Sequence, residues 1–232
     1  MSYSISQAVR ELAEPKLAEF TAKLLPTVDP ARILGVRTPA LRKLSQKLLR
    51  EHPQEVTEFK AAVPHDFQEE DLLHVLLLNE ERDFATWHAA ITSFLPYMTN
   101  WTLTDAVCPA CVKGRNATNL PQLERACLNW LVDDRVYVQR LGVVVLMSLL
   151  GTEYFSPEHL RGSQRWRAAM STMCGLLLLG ILRRRWLAKN VQLSPGSRSP
   201  IVPAVPVRPV YLRWRFAWRS PRLSSRVVFR TN

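Results

Sequence analysis

DLLHVLLLNEERDFATWHAAITSFL, residues 71–95, decides the fold. Leu72, Leu73, Leu76 and Leu77 recur at helical spacing and make one apolar stripe; Phe84, Trp87, Ile91, Phe94 and Leu95 make a second. The charged turn Asn79-Glu80-Glu81-Arg82-Asp83 separates them, long enough only to reverse the chain. Two amphipathic helices joined so closely lie antiparallel, and such pairs stack into a bundle or an α-solenoid.

The pattern repeats on both sides. Leu123, Ala126, Cys127, Trp130 and Leu131 follow the same spacing, and 137–150 is apolar almost all round, the mark of an inner helix packed on several sides. Upstream, Thr38-Pro39 reads as a hydroxyl N-cap followed by proline at the first helical position. Leu41, Leu44 and Leu48 form the inward stripe of that helix, while Arg42, Lys43 and Lys47 lie on its other face. An opening helix carries Val9, Leu12, Leu17, Phe20 and Leu24, with Pro15 kinking it and Pro26 ending it. No alternating strand pattern competes, so the class is all-α. No strict repeat of fixed period is visible, and periodicity alone does not choose between bundle and solenoid.

A chain of 232 residues that is 47% hydrophobic can bury a real core. Its net charge of +11 suggests nucleic acid until it is divided along the chain. Residues 161–232 hold 14 Arg, one Lys and no Asp or Glu, leaving 16 basic against 20 acidic residues in 1–160. The helical part is therefore near −4, and the basic balance of the whole is no evidence that it binds DNA. The start, MSYSISQAVRELAE, has neither a basic region before an apolar run nor a transit-peptide composition, so a cytoplasmic location is expected. Cys108, Cys111, Cys127 and Cys174 show no secreted spacing and read as reduced thiols. Cys108 and Cys111 resemble half a zinc site, but no second pair stands at ligand spacing, so no metal is expected. His74, four residues after Glu70, and His65, beside Asp66, read as partners in local hydrogen bonds.

In NWTLTD, Trp101 and Asp105 are four apart, which on a helix sets an aromatic ring and a carboxylate on one face. Read alone, Asp105 can equally cap a helix, Trp101 can be core, and Arg140 can pair with Asp133 or Asp134. Three stretches together resemble the DNA alkylation repair enzymes, DNA glycosylases built of HEAT-like repeats. They are LLPTVDPARILGVRTPALRKLSQKL (24–48), VPHDFQEEDLLHVLLL (63–78), and FLPYMTNWTLTDAVCP (94–109) continuing through DDRVYVQRLGVVVLMSLL (133–150) to FSPEHL (155–160).

The resemblance implies a HEAT-like α-solenoid of antiparallel helix pairs over residues 1–160, incomplete at its C-terminus. It implies excision of N3- or N7-alkylated purines from double-stranded DNA, with no cofactor, no membrane and a monomeric state. Asp105 would be the catalytic carboxylate, stabilising the cation that develops on the sugar, and Trp101 an aromatic of the cleft. Thr38, Arg42 and Arg140 match positions that contact the DNA backbone. The family grips the duplex on a concave surface without flipping the damaged base into a pocket. The alternative is a non-catalytic helical-repeat scaffold that binds protein or DNA backbone.

After residue 160 the resemblance stops, and 161–232 reads as a basic, largely disordered tail. A third reading takes that tail at face value, as a basic and aromatic arm for nucleic acid or membrane. The family continues instead with a Tyr-Tyr-Val helix and then a cleft tryptophan. The codons of Met170-Ser171-Thr172-Met173-Cys174-Gly175, read one nucleotide out of register, allow Glu-Tyr-Tyr-Val-Arg. The same shift through Leu179 to Leu187 allows Trp-Tyr-Phe-Ala-Thr-Ala-Leu-Ala. A frameshift between about residues 161 and 171 accounts for the missing acids and the excess of Arg, and leaves the solenoid without its terminal cap and later cleft tryptophan, so the chain as written is expected to be inactive. The coding nucleotides across 155–190 are expected to spell such a helix in the shifted frame, and limited proteolysis is expected to trim the tail. A shifted frame without it, or a protease-resistant C-terminus, contradicts this reading.

Overall fold

The computed structural model describes residues 3–112, 118–146 and 149; the tail reading of 161–232 lies outside the described residues. Within them the chain is helical and has no strand. The helices are α1 (Ile5–Arg10), α2 (Pro15–Leu24), α3 (Thr38–Glu51), α4 (Pro53–Ala61), α5 (Gln68–Leu78), α6 (Phe84–Phe94), α7 (Trp101–Ala106), α8 (Leu120–Leu131) and α9 (Val136–Leu146). The chain alternates between two layers. α3 packs on α5, α5 on α7 and α7 on α9, while α4 lies against α3 and α5, α6 against α5, and α8 against α9. Such stacking of helix pairs is consistent with the helical repeat that the resemblance implies.

The stripes of α6 and α8 fall where their spacing puts them: Phe84, Trp87, Ile91 and Phe94 are buried, as are Leu123, Ala126, Cys127, Trp130 and Leu131. α9 is an inner helix, with Val138, Leu141, Val143, Val145 and Leu146 all buried. Gly142 permits its close approach to α8, since a Cβ there would stand 2.9 Å from the Leu131 side chain and 3.0 Å from the Cys127 carbonyl.

Two expectations at the N-terminal end are corrected. The opening segment is two helices, not one kinked helix. Pro15 lacks an amide hydrogen and disfavours the helical conformation at Glu14, whose φ and ψ are −123° and 104°. The chain therefore breaks before Pro15 and restarts from it. Helical spacing makes α2 amphipathic, yet it is Ala18 and Ala22 that pack, against Leu25, Val28 and Ile33, while Phe20 and Leu24 remain 55% and 39% exposed, and Leu12, ahead of the helix, 36%. Thr38 does not cap α3. The carbonyl of Arg37 already accepts from the amides of Ala40 and Leu41, which puts Arg37 at the N-cap and Thr38 inside the first turn.

The centre of the first three repeats is polar. Gln68, Glu69, Glu70 and Asp71 form the first turn of α5, and all four are buried. The Glu69 carboxylate accepts from three consecutive amides, Leu34 at 2.9 Å, Gly35 at 2.7 Å and Val36 at 3.3 Å. Glu70 turns back to the amides of Asp66 and Phe67, both at 3.1 Å, satisfying donors just ahead of the helix. Asp71 takes the Arg32 guanidinium at 3.1 Å, and Arg32 also donates to the carbonyls of His65 and Asp66. Three acids in a first turn also suit the positive end of the helix dipole. Gly35 is obligatory here: its φ is +78°, and a Cβ would lie 2.3 Å from the Ala18 amide nitrogen and 2.4 Å from the Glu14 carbonyl oxygen.

His65 and His74 bond to each other, Nε2 to Nδ1 at 2.9 Å, rather than to the neighbouring acids. Phe59 stacks on His65 and Phe94 on His74, closing a four-ring column between α4, α5 and α6. Burial lowers the His65 pKa and brings that of His74 from 6.5 to about 3. Both rings thus stay neutral in the fold where the unfolded chain takes up protons, so their contribution is intact above pH 6.5 and fades as pH falls toward 3. Asp71 acts in the opposite sense. Burial, opposed by Arg32, pushes its carboxyl from 3.8 up to about 7, so its contribution is whole below 3.8 and lost as pH rises through 7. In urea titrations the His74→Phe variant should lose less stability than wild type on acidification. Asp71→Asn should gain on wild type as pH rises from 3.8 to about 7, with no further change above that. A His74→Phe variant with the wild-type acid slope would remove the column from the account.

Candidate functional site

α7 is six residues long, well under the about 12 to 15 that an isolated helix needs, so its place is set by its neighbours. Asn100 caps it, its side-chain oxygen accepting from the Thr102 amide at 3.0 Å. Leu103 and Thr104 are fully buried, and the Thr104 hydroxyl donates to the Trp101 carbonyl at 3.1 Å. Trp101 and Asp105, flanking that buried pair, are half-buried.

Asp105 is not a cap. It lies in the last turn of α7 and receives the Arg140 guanidinium of α9 through two bonds, Nε to Oδ1 at 2.9 Å and Nη2 to Oδ2 at 2.7 Å. The two side chains are 19% and 12% exposed, so the pair is largely screened from water. Arg140 therefore pairs with neither Asp133 nor Asp134, and Asp133 is held by Arg135 at 2.8 Å. The planar fork fits a carboxylate in both position and orientation, and it ties α7 to α9 across 35 residues of sequence.

Trp101 packs against the small apolar cluster of Leu25, Val28 and Ile33, and its indole Nε1 donates to the Leu24 carbonyl at 3.2 Å. The Thr27 hydroxyl adds a bond to the Thr99 carbonyl at 3.2 Å. The ring is thereby fixed to the turn that follows α2. Thr38 and Arg42 are exposed on α3, in the layer that also holds α7 and α9, and they do not join the Asp105–Arg140 pair. Cys108 and Cys111 are free thiols, and among the described residues no group of three His, Cys, Asp or Glu stands together to hold a metal.

Sequence reasoning missed the residues that hold α7. The Gln68 amide nitrogen donates to the Thr102 hydroxyl at 2.7 Å, and its oxygen accepts from Asn100 at 2.8 Å. At the far end, Asn79 donates to the Ala106 carbonyl at 2.8 Å and accepts from the Cys108 amide at 2.7 Å. The signal available was compositional: four polar residues at the head of a leucine-rich helix, and the asparagine that opens NWTLTD in the place of an N-cap.

Removing Arg140 takes from the partly buried Asp105 carboxylate both of these donors. A double-mutant cycle of Asp105→Ala and Arg140→Ala, followed by urea unfolding, should show a coupling of about 1 to 3 kcal/mol. Additive single effects would mean that the pair does not bind α7 to α9.

No curated protein and no solved structure matches this chain significantly. The family described as DNA alkylation repair enzyme does match, over residues 5–161, a span that contains all three stretches that carried the resemblance and the helices α1 to α9. No helix among the described residues is long and apolar enough to cross a membrane. With more than half of its length matched, and with helix pairs packed in the repeat pattern, the chain belongs to the DNA alkylation repair enzyme family.

Proposed function

We propose that the chain is a DNA glycosylase-type repair protein acting on N3- or N7-alkylated purines in duplex DNA, with Asp105 as its catalytic carboxylate. The observation that carries this is the partly exposed Asp105 carboxylate, held between α7 and α9 by the two bonds from Arg140. A purine alkylated at N3 or N7 is already cationic, so it departs as a neutral base when the N-glycosidic bond breaks and its electron pair leaves with it. The positive charge then falls on the sugar. A fixed negative group facing that sugar lowers the barrier and orients the water that adds to C1′ and releases a proton.

Trp101 lines the cleft in this reading, its ring immobilised by Leu24 and the cluster beneath it. An aromatic face favours the cationic nucleoside over the undamaged one. Thr38 and Arg42, exposed on α3, contact the DNA backbone, and Arg140 both orients Asp105 and serves a phosphate. The family match ends at residue 161, where the acid-free stretch begins, which supports a helical repeat domain over 1–160 followed by an out-of-frame tail.

The near −4 charge of residues 1–160 favours the second reading, a scaffold that recognises a protein partner. Release of 7-methylguanine from alkylated duplex DNA, measured for the chain and for its frame-restored form, separates the two. Release is expected from the frame-restored protein, falling by about a hundredfold or more in Asp105→Asn. No release from either form favours the scaffold, and equal release from Asp105→Asn removes that carboxylate from the chemistry.

A further inference from the structure

We propose that Gln68 and Asn79, at the two ends of α5, are positioning residues that set where α7 presents Asp105 and Trp101, an inference that rests on the proposed role of Asp105. α5 is an eleven-residue helix buried on every side, and it is the rigid element against which the six-residue α7 is placed. The clamp has two jaws. Gln68 and Asn100 exchange side-chain amide bonds, at 2.8 Å in one direction and 3.4 Å in the other, and Gln68 also reaches Thr102. That fixes the cap and first turn of α7. Asn79 holds the Ala106 carbonyl and the Cys108 amide at once, and its own carbonyl accepts from the Ala110 amide at 2.7 Å. That fixes the last turn, where Asp105 lies.

The same first turn of α5 reaches Trp101 from the other side. Glu69, next to Gln68, holds the amides of Leu34 to Val36. That segment follows Ile33, which with Leu25 and Val28 forms the cluster under the indole. Backbone and side chain of Trp101 are thus both referred to adjacent residues of one buried helical turn. An apolar contact can slide by an ångström at little cost. A two-bond amide pair at each end cannot, and a displacement of that size at a reacting centre costs about a hundredfold in rate.

The experiment uses the full chain with Gln68→Leu and Asn79→Leu, beside the conservative Gln68→Glu and Asn79→Asp. The glutamate still accepts from Asn100 and the aspartate still accepts from the Cys108 amide, so these keep the test open if the leucine variants fail to fold. Amide hydrogen exchange over 101–106 should accelerate by about tenfold in the leucine variants, the effect of one lost hydrogen bond on a local opening, while 120–131 exchanges as in wild type. In the frame-restored form carrying the same substitutions, single-turnover release of 7-methylguanine at saturating enzyme should fall by about tenfold to a hundredfold. Affinity for the same duplex should stay near wild type, because Thr38 and Arg42 on α3 are untouched. Gln68→Glu should recover most of the rate.

Wild-type exchange over 101–106 in folded variants overturns the proposal. So does a rate loss that merely follows the loss of folded protein, or a loosened α7 with an unchanged rate. If the frame-restored wild type also releases no base, the glycosylase reading fails by itself. The clamp is then judged on exchange over 101–106 and on protection of the Arg140 Nε–H by Asp105. Protection lost in both leucine variants supports the clamp, and protection retained in both overturns it.

Discussion

A carboxylate buried without donors would be among the most unfavourable groups a small protein could carry, and Glu69 avoids this by taking the amides of Leu34, Gly35 and Val36 together. Those amides belong to an irregular turn with no helix or strand to satisfy them, so each side of the contact meets the need of the other. The close packing of that turn explains Gly35, whose carbonyl accepts from the Glu14 amide and whose α-carbon has no room for a side chain. Without this contact the segment between α2 and α3 has no fixed path across the head of α5. The small cluster beneath Trp101 would lose its frame with it.

From that point α5 distributes order in both directions. Asp71 and Glu70 secure the approach to the helix and Arg32, Gln68 and Asn79 secure α7, and the histidine column secures α4 and α6. Buried polar groups are a weak source of net stability, since most of the gain in pairing replaces hydration. Their value here is geometric. Leucines would hold the layers together at many registers, whereas paired amides and a carboxylate on three amides accept one. The Asp105–Arg140 pair closes the same chain of constraints at α9, which Gly142 lets sit close against α8.

Much of the fold was legible without coordinates. The stripes of α6 and α8 and the all-round apolar α9 were read correctly because amphipathicity is a local property of spacing. The candidate site was legible only as two residues four apart in NWTLTD. That Asp105 meets Arg140, and that Trp101 meets Leu24, depends on contacts across 35 and 77 residues that no periodicity encodes. The histidines show the same limit. His74 had Glu70 one turn away, yet it bonds His65, because Glu70 is drawn to the unsatisfied amides ahead of its own helix.

The sequence by itself determined the helical class, the antiparallel pairing of successive helices, the family and the change of character after residue 160. All of these follow from composition, spacing and short motifs along one segment at a time. Tertiary structure alone decided that α2 leaves Phe20 and Leu24 exposed, that Arg37 rather than Thr38 begins α3, and that four polar side chains belong at the centre. The physical reason is that a buried polar atom must find a partner wherever the packed chain brings one within about 3 Å, and which partner arrives is a property of the whole fold.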